Sequence, residues 1–215
     1  MLQTKTVEPH TFSVLVQLME MPELADFSLV GGTALSLLYG HRISVDLDLF
    51  CNKKFDNSTI IDALERKFKE SFMNRSTNPA FGIFCFIHDV KIDIINHPHP
   101  LIRPVLKLEG IRMFSTEDII AMKVQAVLGR GKKKDFWDIA ELLKHFSIDD
   151  FIIFHREKYK TQNLLITVPH AITYFADADE SDEPISLKKQ SWESVKKFIQ
   201  VKVSAYFTQD NNYNH

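Results

Sequence analysis

Apolar positions recur along the first 110 residues with two alternating periods. Pro9 suits a first helical position, and Phe12, Leu15, Leu18 and Met19 follow at helical spacing, which predicts a helix over 9–21. Ser28-Leu29-Val30 leads into Gly31-Gly32, and Thr33 to Tyr39 reads as a short helix with Gly40 as its left-handed stop. Ile43 to Phe50 alternates strictly: Ile43, Val45, Leu47 and Leu49 against Ser44, Asp46, Asp48 and Phe50. Period two predicts a strand. Asn57 or Ser58 is expected to cap a helix with the stripe Ile61, Leu64, Phe68 and Phe72. Residues 81–95, from Phe81, read as a hairpin that turns at His88-Asp89. Prolines 98, 100 and 104 make a loop, and Ile111 to Phe114 a short strand.

Beyond that the period is helical throughout. Ser115 with Asp118 gives a variant capping box for a helix to about Leu128. Gly129-Arg130-Gly131 breaks it, and further helices are expected over about 134–145, 149–160, 163–175 and 190–207. Ala176 to Pro184 holds five acids and no base, a solvated loop. The expected fold class is therefore α+β: a mixed-sheet head over 1–114 with flanking helices, then a helical half over 115–215.

Composition narrows the function. Hydrophobic residues at 45% and charged residues at 25% fit a globular protein and exclude disorder as the main state. A net charge of −2 excludes nucleic-acid binding by bulk charge, though not by a local basic patch. No run approaches the roughly 18 apolar residues of a membrane span, and MLQTKTVEPH lacks the pattern of a secretory signal. Two cysteines, Cys51 and Cys85, exclude a disulfide scaffold and a Cys-rich zinc site, and point to the reducing cytoplasm.

The chemistry concentrates in Gly31-Gly32, thirteen residues, then Asp46-Leu47-Asp48. Glycines at a helix start let a ligand reach the backbone, where amides and the helix dipole favour an anion. Thr33 adds a hydroxyl there, and Arg42 is a candidate triphosphate contact. Residues two apart on a strand share a face, so Asp46 and Asp48 can converge on a cation. Asp93, in Lys91-Ile92-Asp93-Ile94-Ile95, joins them if its strand lies alongside. Two carboxylates ~4 Å apart repel by about 4 kcal/mol at an effective dielectric of 20. A hard divalent cation, Mg²⁺ beside a phosphate, relieves that repulsion. Acids for metal next to an amide cradle describe metal-assisted phosphoryl or nucleotidyl transfer. Later in the chain, Lys123 interrupts an apolar helix face, as a phosphate contact or a snorkelling lysine. Arg130, Lys132, Lys133 and Lys134 form the densest basic run, an RNA-backbone contact or a solvated turn. Asp135 positions Lys123 or a substrate, or simply faces a helix dipole, and Trp137 is expected in the core. His41 reads as a turn residue, and His97 and His99 as part of the proline loop.

The stretch LVGGTALSLLYGHRISVDLDLF resembles the signature of the nucleotidyltransferase superfamily with the polymerase-β-type palm, and more closely the AbiEii/AbiGii nucleotidyl transferase toxin family. MKVQAVLGRGKKKDFWDIAELL resembles that family's second block through Lys123, Arg130, Lys134-Asp135 and Asp138. The resemblance covers roughly 28–145. It implies transfer of a nucleoside monophosphate from an NTP with Mg²⁺, in a toxin–antitoxin or phage-defence setting with a possible cognate antitoxin. It implies that Asp46 and Asp48 bind metal, that Asp93 matches the third carboxylate in strand context, and that Gly31, Gly32 and Ser44 lie near the triphosphate. Asp93 would also take the acceptor's proton, and Lys123 would neutralise phosphate charge. A tRNA or other RNA end is the expected acceptor. Its rivals are an aminoglycoside-like small molecule, which needs an acidic cleft, and a catalytically silent nucleotide- or partner-binding module.

Overall fold

The computed structural model describes residues 1–76 and 82–213. Its chain divides into two compact units, Met1–Ser115 and Thr116–His215.

The first unit is built on a mixed sheet. Its strands are β1 (Ser28–Leu29), β2 (Leu47–Cys51), β3 (Phe72–Asn74), β4 (Ile83–Ile87), β5 (Val90–Asn96), β6 (Leu106–Leu108) and β7 (Ile111–Met113). Their spatial order is β3-β4-β5-β2-β1-β7-β6. β2 runs parallel to β5 and β1 parallel to β7, while the remaining neighbours are antiparallel. Helix α1 (Pro9–Met19) packs on β7, α2 (Gly31–Tyr39) on β2, and α3 (Asn57–Phe68) on β3 and β4. Alternation decides which sheet face meets the core. Leu47, Leu49, Ile83, Ile87, Ile92 and Ile94 are buried, each contributing about 1.5–3 kcal/mol. Asp48, Phe50, Phe84, Phe86, Asp93 and Ile95 alternate with them and stay half-buried, with Lys91 exposed.

The hairpin forms with His88 and Asp89 both left-handed (φ 49° and 65°). That is the signature of a two-residue type I′ turn, whose twist matches its strands. Phe81, the expected hairpin start, lies outside the described residues. Three boundaries differ from expectation. The strand over Ile43–Phe50 is shorter: Ile43 to Asp46 is irregular, with Val45 53% exposed and Ser44 buried, because this segment is tied down by polar bonds. The cap of α3 is Asp56, which accepts from the Ser58 and Thr59 amides. That helix stops at Phe68, where Lys69 turns left-handed (φ 48°), so Phe72 enters β3 opposite Ile87. Arg112 is an unforeseen clamp: its guanidinium donates to the carbonyls of Met19, Leu24 and Phe27.

The second unit is helical: α4 (Thr116–Gly129), α5 (Lys133–Leu142), α6 (Ile148–Lys158), α7 (Val168–Ala171), α8 (Ala176–Asp179) and α9 (Trp192–Tyr213). Ser147 caps α6 through a reciprocal bond with Asp150. The helix expected over 163–175 shrinks to α7, since Pro169 has no amide to offer a continuous helix through that stretch. The acidic stretch from Ala176 is not wholly solvated. Ala178 is buried, and Asp179 accepts from the Trp192 indole at 2.6 Å. Trp137 is buried and stacks on Trp192, and Phe136 packs edge-on to Phe175 and Trp192. Among the described residues, no helix is long and apolar enough to cross a membrane.

Lys158 on α6 and Asp118 on α4 form a fully buried ion pair, Nζ to Oδ1 2.7 Å. Its charge pattern is not visible in a helical wheel. Removing one partner strands the other, at about 3–5 kcal/mol, whereas replacing both by apolar groups is far milder. Lys158→Met and Asp118→Leu should therefore each lower the midpoint in urea strongly. The double variant should recover most of that loss. Equal, additive losses would assign the two residues independent roles.

Candidate active site

Asp48 stands on β2 directly beside Asp93 on β5. Parallel register thus brings two of the three expected carboxylates onto one open face, and Asp46 sits one residue before β2 begins. Lys91, on the same face two residues before Asp93, donates to Asp93 Oδ2 at 3.1 Å. Burial disfavours the Lys91 charge, but the hydrogen bond to Asp93 and the fields of Asp93, Asp46 and Asp48 outweigh it and raise the ammonium above its ordinary range. All four groups therefore share one electrostatic neighbourhood. Asp93 Oδ1 is buried and has no hydrogen-bond partner among the described residues. Behind the face, burial together with the Asp93 charge pushes the Cys85 thiol up to about 12, so it is not a thiolate nucleophile.

The glycine pair belongs to the same corner. Gly31 opens α2 with φ +69°, and a Cβ there would fall 2.9 Å from Asp48 Oδ2. Backbone and carboxylate thus meet where only glycine fits. Val30 stands at the N-cap without a side-chain cap bond, and its amide donates to Asp48 O at 2.9 Å. Val30 therefore offers no capping side chain to the first-turn amides of α2, including that of Gly32, an arrangement that suits an anion.

Three expected anion contacts, Thr33, Ser44 and Arg42, are buried. Thr33 is buried, its hydroxyl 2.8 Å from Ser44 Oγ and donating to Asp46 O. Ser44 is buried as well, and its amide donates to Thr6 O. The pair fixes the chain that delivers Asp46 and does not offer hydroxyls to a ligand. Arg42 is buried and donates to Ile43 O, and His41, expected as a turn residue, is fully buried.

The second unit gathers the other block. Lys123 on α4 is buried, with Nζ 2.8 Å from Asp135 Oδ1 and 2.7 Å from Asp138 Oδ2 on α5. It neither snorkels nor offers an unmatched positive charge, since two carboxylates enclose it. Burial would raise the Asp135 carboxyl, but the charge and hydrogen bond of Lys123 and the Lys132 amide hold it below its usual range, against the opposing charge of Asp138. Arg130 and Lys132 are exposed, and Lys133 and Lys134 half-buried, at the corner these ion pairs close.

The family model of the nucleotidyl transferase AbiEii toxin, a type IV toxin–antitoxin system, matches residues 13–200. The chain belongs to the AbiEii family. An AbiEii chain is a nucleotidyltransferase. An uncharacterized protein of Aquifex aeolicus (strain VF5) is 31% identical over 187 residues, covering 84% of this chain and 88% of that one. The crystal structure of an H. pylori protein assigned as a nucleotidyltransferase superposes with a TM-score of 0.57 at 20% identity, covering 95% of this chain and 94% of that one. MenT4, the nucleotidyltransferase toxin Rv2826c of Mycobacterium tuberculosis H37Rv, gives 0.54 at 14% identity, covering 89% and 83%. At such identities these structures speak for the fold, a mixed sheet with flanking helices.

The AbiEii corner fits a hard divalent cation on three counts. Its donors are carboxylate oxygens. One of them, Asp93 Oδ1, is buried without a hydrogen-bond partner among the described residues. A Cβ at Gly31 would crowd Asp48 Oδ2. Among the described residues no three acidic, His or Cys side chains close into a preformed metal cage, and Lys91 occupies Asp93 Oδ2 instead. Lys91 was legible in principle: period two places it on the face of Asp93.

Two expectations follow for the AbiEii chain. Gly31→Ala should destabilise the fold by about 2 kcal/mol or more, from left-handed strain plus collision with Asp48. Thermal melts of the variant check this, and an unchanged midpoint would contradict the crowding. The second concerns acid. A carboxyl depressed in the fold contributes stability above its unfolded pKa of about 3.9, lost as pH falls through the folded value. Asp135→Asn should therefore be less stable at neutral pH and show a flatter acid limb in urea melts between pH 7 and 2.

Proposed function

We propose that this chain moves a nucleoside monophosphate from an NTP to the hydroxyl of an RNA acceptor, a tRNA or other RNA end, with Mg²⁺. It would do so as the toxin of a toxin–antitoxin or phage-defence pair, with a cognate antitoxin as counterpart, in the cytoplasm. The observation that carries the reading is Asp48 beside Asp93, with Gly31 and the uncapped start of α2 at the same corner.

Asp46, Asp48 and Asp93 would hold the metal. When bound, Mg²⁺ polarises the α-phosphate and makes an acceptor hydroxyl more acidic. The first-turn amides at Gly31 and Gly32 bind the outgoing pyrophosphate, an anion suited to a helix N-terminus. Thr33 and Ser44 act one step back, holding the Asp46 backbone in place. Asp93 is the base that receives the acceptor's proton. Arg42, buried and bonded to Ile43 O, braces the same segment from its other end. Arg130, Lys132, Lys133 and Lys134 contact the RNA backbone, on a corner stiffened by Lys123 with Asp135 and Asp138. Hydrolysis of the γ-phosphate would call for a positioned water and usually a Walker-type loop, and this sequence lacks that loop.

Incubation with Mg²⁺, total tRNA and labelled NTPs tests the reading. Label should enter RNA from the α-position and not from the γ-position. Asp46→Asn and Asp48→Asn should each lower transfer on the order of 100-fold while leaving the melting midpoint intact or raised, because each removes a repelling charge. Transfer from γ-label only would make the enzyme kinase-like. Label on protein and never on RNA would overturn the acceptor.

A further inference from the structure

The proposed reaction gives Lys91 no task, yet Lys91 holds one oxygen of a carboxylate assigned to the metal. Its Nζ lies 3.1 Å from Asp93 Oδ2, with side chains 49% and 16% exposed. It is also within the fields of Asp46 and Asp48. Across β4 its neighbour in register is Phe86, which offers no charge of its own. The ammonium is thus directed at the acidic cluster and at nothing else charged along that row.

Three carboxylates on one sheet corner repel, and like charges directly across a pair of strands destabilise a sheet. Asp48 and Asp93 are such a pair. Lys91 relieves part of that repulsion at Asp93. We infer that Lys91 is a built-in counter-ion: it occupies Asp93 Oδ2 in the metal-free site and surrenders that oxygen when a divalent cation binds. This rests on the metal-holding reading of Asp46, Asp48 and Asp93. Lysine and cation compete for the same oxygen and repel one another, so each weakens the other's hold on the cluster, reciprocally. The exchange is easy because the Lys91 side chain is itself half-exposed, so its flexible stem can carry the charge to water. Lys91 is in this sense a positioning residue. It keeps the empty cluster together and lowers its affinity for a bare cation.

Mn²⁺ alone, without nucleotide, is the probe. Its binding is followed by the electron paramagnetic resonance of the free ion for the wild type, Lys91→Met, Lys91→Gln, Lys91→Arg and Asp48→Asn. Lys91→Met and Lys91→Gln should bind Mn²⁺ at least about fivefold more tightly, and Lys91→Arg should stay near the wild type. Without metal the two neutral variants should melt lower than the wild type, and Mn²⁺ should raise their midpoints further than it raises that of the wild type. Asp48→Asn should bind more weakly than the wild type. If Asp48→Asn weakens binding but the neutral Lys91 variants bind as the wild type does, or less tightly, the counter-ion inference fails and the metal reading stands. If Asp48→Asn binds as well as the wild type, or no variant binds Mn²⁺ at all, the metal reading fails and takes the inference with it.

Discussion

Two carboxylates side by side on adjoining strands should push those strands apart. The register of β2 against β5 does the opposite of what their charges prefer, holding Asp48 level with Asp93. The aliphatic residues between the acids supply the force. Leu47, Leu49, Ile92 and Ile94 are buried on the other face, and a one-residue slip of either strand would turn its own aliphatic pair to solvent and its own acid into the core. Several kcal/mol of burial thus oppose a repulsion that partial exposure and Lys91 already weaken. The turn at His88-Asp89 adds a second lock. By fixing β5 against β4 it sets which residue of β5 is offered to β2.

The segment before β2 shows the complementary principle. An apolar alternation would have made Ile43 to Asp46 a strand, but a strand would spend their backbone groups on a neighbour. Here Ser44 N donates to Thr6 O and Thr33 reaches across to Ser44 and to the Asp46 carbonyl. Buried hydroxyls need partners, and these find them in one another, so the polar set overrides the period of the apolar one. Asp46 is delivered by a braced loop and Asp48 by a strand. The approach of Asp48 to Gly31 follows from the strand, because α2 begins where β1 ends and Val30 N bonds to Asp48 O.

Much of this was legible from residue order. Most helix positions and the hairpin with its turn follow from local periodicity, and the meeting of Gly31 with Asp48 from glycines set against acids, whereas Asp93 joined them only on the condition that its strand lay alongside, which the pairing of β2 with β5 meets. What escaped has a common cause: it depends on partners distant in sequence. The inward turn of Thr33 depends on Ser44, eleven residues away. The burial of Lys158 depends on Asp118, forty residues away, and the clamp of Arg112 on carbonyls some 85 to 93 residues back. Periodicity reports which face a residue occupies and cannot report which polar group waits there. The short α7 escaped for a different reason, since an apolar run containing Pro169 keeps helical spacing without a continuous ladder of amides.

The second unit places charge where its helices meet. Lys123 joins α4 to α5 through two acids, Lys158 joins α6 to α4, and Glu141 on α5 receives both Lys144 and Lys188. Ion pairs of this kind gain little net stability over apolar side chains of the same shape, because both charges must leave water. Their effect is on alternatives. A leucine on a helix face can pack against many neighbours, whereas a buried ammonium two residues out of place has lost its carboxylate and carries the full penalty of an unpaired charge. The rotation of each helix about its own axis is thereby fixed more tightly than apolar packing alone would fix it. That rotation decides where Arg130 and Lys132 emerge, so the acids inside the corner govern the direction of the basic charge outside it.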